Sequence, residues 1–404
     1  MNNIKYRTGF SSVVLIFFLA IIFRYGKFKG QIITKNPTFD NSNAIFLVIT
    51  ACILFFIIGV YKKVLITKIK YGYLIILFCL NILTIALFTQ NPIDSVRQAI
   101  GVILSIVIIL EISIYFHSIP FEKGSNIVIL ISIIISILSI YVHTKYVGPL
   151  RIFSHSLYDR LGGIFYYTHF AMIMSVSGLL SINSLFSNKH NGFQNFLHIT
   201  NYIFSTAMIL LTDTRSAILP FFLSTILVFI FRWKYLKHST KYLLSIIIVL
   251  FLVFSIYYVF NTSTGKTSES SSEYRIKIWS ISIKGVLAKP LTGYGKDSFF
   301  RNNSEAINFN RNLADPHNSY IDHALYYGLI SLCIFLFILA KIGTSIIKSE
   351  KSSYFSIWLY FIITPFFWGG IYHISGGYVQ FLFLIIFFGL LEHPDIHKAI
   401  YDKC

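Results

Sequence analysis

Charge is what this 404-residue sequence has least of. Asp, Glu, Lys and Arg together make up 12% of it, about half the share usual in a soluble domain. Cysteine is scarce as well. Cys52, Cys79, Cys333 and Cys404 are scattered, three of them inside apolar runs, with no C-x-x-C pair or Cys/His cluster. That excludes a disulfide framework and a zinc site of the familiar spacing. No G-x-x-x-x-G-K-[ST] loop offers a cradle for ATP, and no H-E-x-x-H offers a metalloprotease helix. Acids in or near the apolar runs are few, Glu111, Asp213 and Asp322 being the clearest. They are too sparse for a cation cage or a proton relay. No repeat at solenoid spacing is visible either.

What is present is apolar. Hydrophobic residues make up 55% of the chain, and mean hydropathy is +0.69. Twelve apolar segments recur, over 9–24, 44–61, 72–89, 98–117, 126–143, 163–185, 196–212, 215–232, 242–260, 319–342, 354–370 and 377–392. Many approach the ~20 residues a helix needs to cross a bilayer. The fold class expected is an all-α polytopic membrane protein of about twelve transmembrane helices, with residues 1–404 forming a single transmembrane domain. The opening run, after "MNNIKYRTGF", has no small-residue cleavage site behind it and reads as an uncleaved first span.

Net charge is +18, from 34 Lys+Arg against 16 Asp+Glu. In a soluble protein that excess would suggest nucleic acid. Here the basic residues sit mostly in short loops, as the positive-inside rule predicts, and no nucleic-acid partner is expected. "YKKVLITKIK" (61–70), "RWKYLKHSTK" (232–241) and "KSEKSS" (348–353) follow spans 2, 8 and 10. Those loops should face the cytoplasm, with both termini, and outweigh Lys27, Lys29 and Lys35 after span 1.

One outward loop is much longer than the rest, residues 261–318 between spans 9 and 10. It opens with a polar, low-complexity stretch, "NTSTGKTSESSS". In "EYRIKIWSISIKGVLAKP", Ile276, Trp279, Ile283, Val286 and Leu287 recur at helical spacing. They predict an amphipathic helix lying over the bundle or in the membrane interface. A Gly-punctuated turn, "LTGYGKDSF", follows. The loop closes on "DPHN" (315–318), where Pro316 and Asn318 mark the start of a helix.

Four groups on the outer side could do chemistry. His317, at the mouth of span 10, is a candidate general base, or a histidine that merely caps a helix end. Arg215, in "LLTDTRSAILPFF" (210–222), lies at membrane depth in a tight hairpin between spans 7 and 8. Such an arginine is by default a functional hypothesis, although it could snorkel or pair with Asp213. Arg275 sits on the loop helix, where arginines are usually just solvated. Arg160, in "YDRLGGIFYYTHF" (158–170), stands at the mouth of span 6 beside Asp159, which could neutralise it. Guanidinium groups bind phosphate through two parallel hydrogen bonds, so a pair of arginines suits a diphosphate. Cations and one base without a metal fit transfer away from a diphosphate leaving group.

Three stretches resemble a known family. "DPHNSYIDHALYYGLISL" is similar to the His-Asn-x-Tyr…Gly signature of the O-antigen ligase/polymerase superfamily, in which the histidine opens the span after a large periplasmic loop. "LLTDTRSAIL" resembles that family's Thr-x-(Ser/Thr)-Arg-(Gly/Ser/Ala)-Ala-x-Leu hairpin. "YRIKIW…KPLTGYGKDSF" resembles its Arg-x-x-x-Trp…Pro-Leu-x-Gly-x-Gly segment. Order, spacing and sidedness agree over about 205–345. One departure is Ser331, where the ligase pattern more often has Gly, Thr or Tyr.

The resemblance implies a GT-C-like glycosyltransferase of the bacterial inner membrane, needing no metal or cofactor, with a periplasmic active site. Its donor would be a glycan on undecaprenyl diphosphate, its acceptor a sugar hydroxyl of lipid A-core, and membrane lipids would surround it. His317 would be the base or acceptor-orienting group, and Arg215 and Arg275 would hold the diphosphate. Arg160, Asn318 and Trp279 are assigned to substrate binding, Arg160 on position only. A ligase ranks first by its hairpin and loop layout. The O-antigen polymerase ranks next, ahead of a protein O-oligosaccharyltransferase or a lipid-linked oligosaccharide flippase.

Overall fold

The computed structural model describes residues 72–89, scattered positions between 92 and 103, and 121–146, 148–150, 160–161, 167–185, 192–232, 272–295, 298–309, 316–348 and 355–366. Among the described residues the regular structure is helical throughout. In chain order the helices are α1 (Gly72–Leu87), α2 (Phe121–Tyr146), α3 (Tyr167–Leu185), α4 (Gly192–Leu211), α5 (Arg215–Arg232), α6 (Ser272–Ala288), α7 (Ser298–Asn302), α8 (Ser304–Phe309), α9 (Ser319–Lys348) and α10 (Phe355–Ile363). A 3-10 turn, Thr364–Phe366, continues α10. Seven of the apolar segments, from 72–89 to 354–370, therefore fall on helices with ends shifted by a few residues. The segments at 9–24, 44–61, 242–260 and 377–392, and nearly all of 98–117, lie outside the described residues. So do 261–271 and most of the Lys-rich loops.

Two of the described helices are long and apolar enough to cross a membrane, over Val128–Lys145 in α2 and Ser319–Thr344 in α9. Their side chains are distributed for an apolar solvent. α2 turns Ser132, Ser136, Ser139 and His143 inward and leaves Leu130, Ile134, Ile137, Leu138 and Tyr141 on the outside. α4 does the same, burying His198, Asn201 and Ser205 and exposing Phe193, Phe196, Leu197, Ile199 and Ile203. In water such an outer face would be an aggregation liability. In lipid it carries no penalty, and small polar residues let helices approach and hydrogen-bond across their interfaces.

α3 is the centre of this packing. Every side chain from Phe170 to Ser184 is buried, and α2, α4, α5 and α10 pack around it. The Asn201 side-chain amide on α4 donates to the Ser181 hydroxyl at 2.7 Å and the Ser177 hydroxyl at 3.1 Å. Asn183 donates to the Ser356 hydroxyl of α10 at 2.9 Å. Gly178 allows the close approach on the α5 side, because a Cβ there would meet the Phe221 ring at 2.9 Å.

α6 forms over the stretch expected but buries a different face. Ile278, Ile281, Ser282 and Val286 turn inward, whereas Ile276, Ile283 and Leu287 are exposed. The expected apolar set was therefore mostly the outward one, although Val286 and half-buried Trp279 belong to the packed side. The helix is apolar on two sides, and α9 decides which side is covered.

Candidate active site

The site is built on three helix ends, the first being the turn between α4 and α5. At the end of α4, the Thr212 hydroxyl donates to the Ile209 carbonyl at 2.6 Å, and the Asp213 amide donates to Leu210 at 3.0 Å. Asp213 then adopts φ 47, a left-handed conformation that Asp tolerates better than most residues. The Thr214 carbonyl accepts from the amides of Ala217 and Ile218, starting α5 with Arg215 as its first residue. A two-helix hairpin is thus closed within three residues, which is why the apolar run breaks only at Thr212–Arg215.

Arg160 is brought to this turn by the backbone. The Leu161 amide donates to the Leu211 carbonyl at 3.1 Å, covering the end of α4. The Arg160 guanidinium then lies 3.3 Å from the Asp213 carboxylate and over the Tyr167 ring, 5.0 Å from its centroid. Asp213 is buried and Arg215 half-buried. One carboxylate thus sits in the field of two guanidiniums. The sequence offered Asp159 as the partner of Arg160 and Asp213 as a partner of Arg215; Asp213 does act on Arg215 and is also in an ion pair with Arg160. Asp159 lies outside the described residues.

The second element is the head of α9. Asn318 is its cap: its side-chain oxygen accepts from the Tyr320 amide at 3.0 Å and the Ile321 amide at 3.2 Å. Its backbone carbonyl accepts from Asp322 at 2.9 Å. This is the helix-start geometry that Asn favours. His317, just before the cap, is exposed and has φ 52. Pro316, buried before it, accepts a 2.9 Å hydrogen bond on its carbonyl from the Trp279 indole N–H of α6. Trp279 and Asn318 thus use these polar groups to shape the mouth of α9. Arg275 is half-buried one turn before Trp279 on the same helix.

The third element fixes α6 against α9, and it explains the glycines. α9 is not continuous: Gly328 has φ 79 and ψ 172, which breaks the helix. The segment 290–295, "PLTGYG", lies across the break and takes up the freed backbone groups. The Leu329 amide donates to Pro290 at 2.6 Å, Tyr294 donates to the Leu325 carbonyl at 2.8 Å, and Gly295 donates to Tyr326 at 3.1 Å. Irregular backbone inside an apolar bundle is tolerated only when its polar groups are satisfied in this way. A Cβ on Gly293 would lie 2.7 Å from the Leu325 carbonyl oxygen, and one on Gly328 would collide with the Leu291 carbonyl.

The structure therefore makes two groupings from the six expected residues. Arg160 and Arg215 share the α4–α5 turn with Asp213, while Arg275, Trp279, His317 and Asn318 share the α6–α9 mouth. The turn Thr364–Phe366 packs against both α5 and α9. The Tyr320 hydroxyl in the first turn of α9 donates to the Ile362 carbonyl at 2.8 Å, and its ring packs at a tilt against Phe366. Among the described residues no cluster of three or more His, Cys, Asp or Glu side chains could hold a metal ion.

A comparison with known families falls on the same stretch. A family described as O-Antigen ligase matches residues 200–336, from the middle of α4 into the middle of α9. A Rickettsia felis protein described as a "Putative polysaccharide ligase" is 31% identical over 144 residues. That alignment covers 32% of this chain and 34% of the relative, so about a third of each protein is compared. The segment that carries Arg215, Arg275 and His317 is therefore similar to the O-antigen ligase family.

Proposed function

We propose that this protein is an O-antigen ligase: a membrane glycosyltransferase that moves a glycan from undecaprenyl diphosphate to a sugar hydroxyl of lipid A-core. The reaction takes place at the periplasmic face of the inner membrane. What supports this reading is the order of three motifs along the chain, one at the α4–α5 turn and two at the α6–α9 mouth, with the 364–366 turn packed against both α5 and α9. The turn presents Arg160 and Arg215, the mouth Arg275 and His317. Both matched descriptions fit the ligase/polymerase family as a whole, and ligation is ranked ahead of polymerisation on the hairpin and loop layout. The twelve spans and the periplasmic placement of 261–318 belong to the same proposal, on the strength of the Lys-rich loops.

In this mechanism the acceptor hydroxyl oxygen forms a bond to the anomeric carbon as the bond from that carbon to the phosphate oxygen breaks. Undecaprenyl diphosphate leaves with the electron pair. Arg215 and Arg275 bind the diphosphate and stabilise the charge that develops on it, with the planar fork that suits phosphate oxygens. Arg160, held by Asp213, adds positive field at the same turn. His317 accepts the hydroxyl proton and passes it to solvent. Its exposure at the head of α9 leaves the imidazole open to an incoming acceptor.

The test is the lipopolysaccharide of a deletion strain carrying His317→Ala. General base catalysis contributes about 10²–10⁴-fold, so the variant should reach the membrane normally and transfer almost nothing. A ligase defect leaves full-length glycan on undecaprenyl diphosphate and a bare lipid A-core. A core carrying a single repeat unit would identify a polymerase instead. Normal ladders would remove His317 from the mechanism.

A further inference from the structure

His317 is bracketed. Its φ of 52 lies in the left-handed region, where a residue with a Cβ is strained and persists only if its surroundings hold it. On its C-terminal side the hold is Asn318, whose side chain and carbonyl are tied into the first turn of α9 by three hydrogen bonds. On its N-terminal side it is Pro316, a residue with a fixed φ and no N–H of its own. The Pro316 carbonyl is caught by the Trp279 indole at 2.9 Å, across 37 residues of sequence. Trp279 is anchored in turn: its neighbours Ile278, Ile281 and Ser282 are buried, and the 290–295 segment locks α6 onto α9 at Gly328.

We infer that Trp279 is a positioning residue for His317, acting through the Pro316 carbonyl to hold the imidazole at the mouth of α9. The inference rests on the proposed role of His317 as base. Trp279 would neither bind glycan nor touch the reacting atoms through its N–H, which is already committed. It would also couple the two halves of the site. Arg275 stands four residues earlier on the same helix, so one rigid element carries a phosphate-binding group and orients the base. A small misplacement of a catalytic group can cost about a hundredfold in rate, which gives this distant hydrogen bond its leverage.

The test uses full-length protein in native membranes with the lipid-linked glycan of the parent strain as donor. Trp279→Phe keeps an aromatic ring and removes the N–H. It should lower kcat about fivefold to tenfold, the effect of one hydrogen bond, and leave the donor KM unchanged. Hydrogen exchange of the 317–321 amides should quicken in parallel. Asn318→Ala, which opens the other bracket, should give the same signature, whereas Asn318→Asp, a good cap, should largely restore it. A wild-type kcat in Trp279→Phe overturns the inference, as does unchanged exchange at 317–321. A raised KM with unchanged kcat also overturns it, because Trp279 would then be a donor contact. Wild-type transfer by His317→Gln would instead sink the base reading, and the exchange result would still report whether Trp279 holds the segment.

Discussion

His323 and Ser331 are eight residues apart, yet the imidazole Nε2 lies 2.9 Å from the serine hydroxyl oxygen. In an unbroken helix that separation is about 12 Å along the axis. The break at Gly328 brings the two together, and His323 also stacks on Phe78 of α1, 5.6 Å between centroids. Ser331, the departure from the ligase motif, is thus the partner of a buried histidine. It fastens the two halves of α9 to each other.

That pairing separates the two histidines of the motif by experiment. Ser331→Ala should lower stability by about 1 kcal/mol, the net worth of one buried hydrogen bond. His323→Ala should cost more, because a buried ring is lost with it. Neither should abolish transfer by the molecules that fold, in contrast to His317→Ala. Thermal melting of the solubilised protein, set beside activity per folded molecule, distinguishes the cases. A complete loss of transfer by folded His323→Ala would move chemistry to this pair.

The glycines of the 290–295 segment and of the α9 break make a second prediction. Gly328→Ala would require a side chain in a backbone region that is essentially glycine-only, at about 1–3 kcal/mol, and would collide with Leu291 as well. Gly293→Ala meets the Leu325 and Tyr326 carbonyls. Both variants should accumulate poorly in membranes. Gly192→Ala has open space around it and should accumulate normally. Immunoblots of membrane fractions provide the comparison, and normal levels of Gly328→Ala would mean that the break in α9 is not rigid.

Asp213 supplies a third. Its carboxylate is buried beside two guanidiniums, and removing one partner of a buried ion pair costs about 3–5 kcal/mol. Asp213→Asn keeps the tolerance for a left-handed turn but deletes the charge, so it should melt markedly lower than the parent. Combining it with Arg160→Ala should cost less than the two single changes added together, as contacting residues do. Strict additivity in a thermal double-mutant cycle would show that the pair is only a surface contact.

The arginines supply a fourth. Arg215→Ala and Arg275→Ala should each lose about tenfold to a hundredfold in transfer, the effect of one charge-assisted contact. The lysine variants keep charge without the planar fork and should fall between alanine and the parent. Ligation measured in membranes at matched expression decides this. Full activity in both alanine variants would reduce them to interfacial anchors.

Sidedness is a fifth. Alkaline phosphatase fused at Ser270 should be active and at Ser239 inactive, because the Lys-rich loops hold their side in the cytoplasm. The reverse pattern would put the site on the wrong face for its donor.

Much of the described structure was legible in the sequence, because much of it is locally determined. Apolar length alone sets α5 at 215–232, and Pro316 with Asn318 sets the head of α9, since a fixed φ and a capping side chain act within a turn of themselves. The hairpin at Thr212–Arg215 is legible for the same reason. Tertiary structure decided what local rules leave degenerate. α6 has apolar residues on two sides, so only docking on α9 buries Ile278 and Ile281 and leaves Ile276 and Leu287 outside. The break at Gly328 needs hydrogen-bonding partners from 290–295, more than 30 residues upstream, and no window of sequence around Gly328 contains them. Arg160 meets Asp213 because the Leu161 amide closes on the end of α4. A charge chooses its partner by distance in space, and sequence separation says little about that.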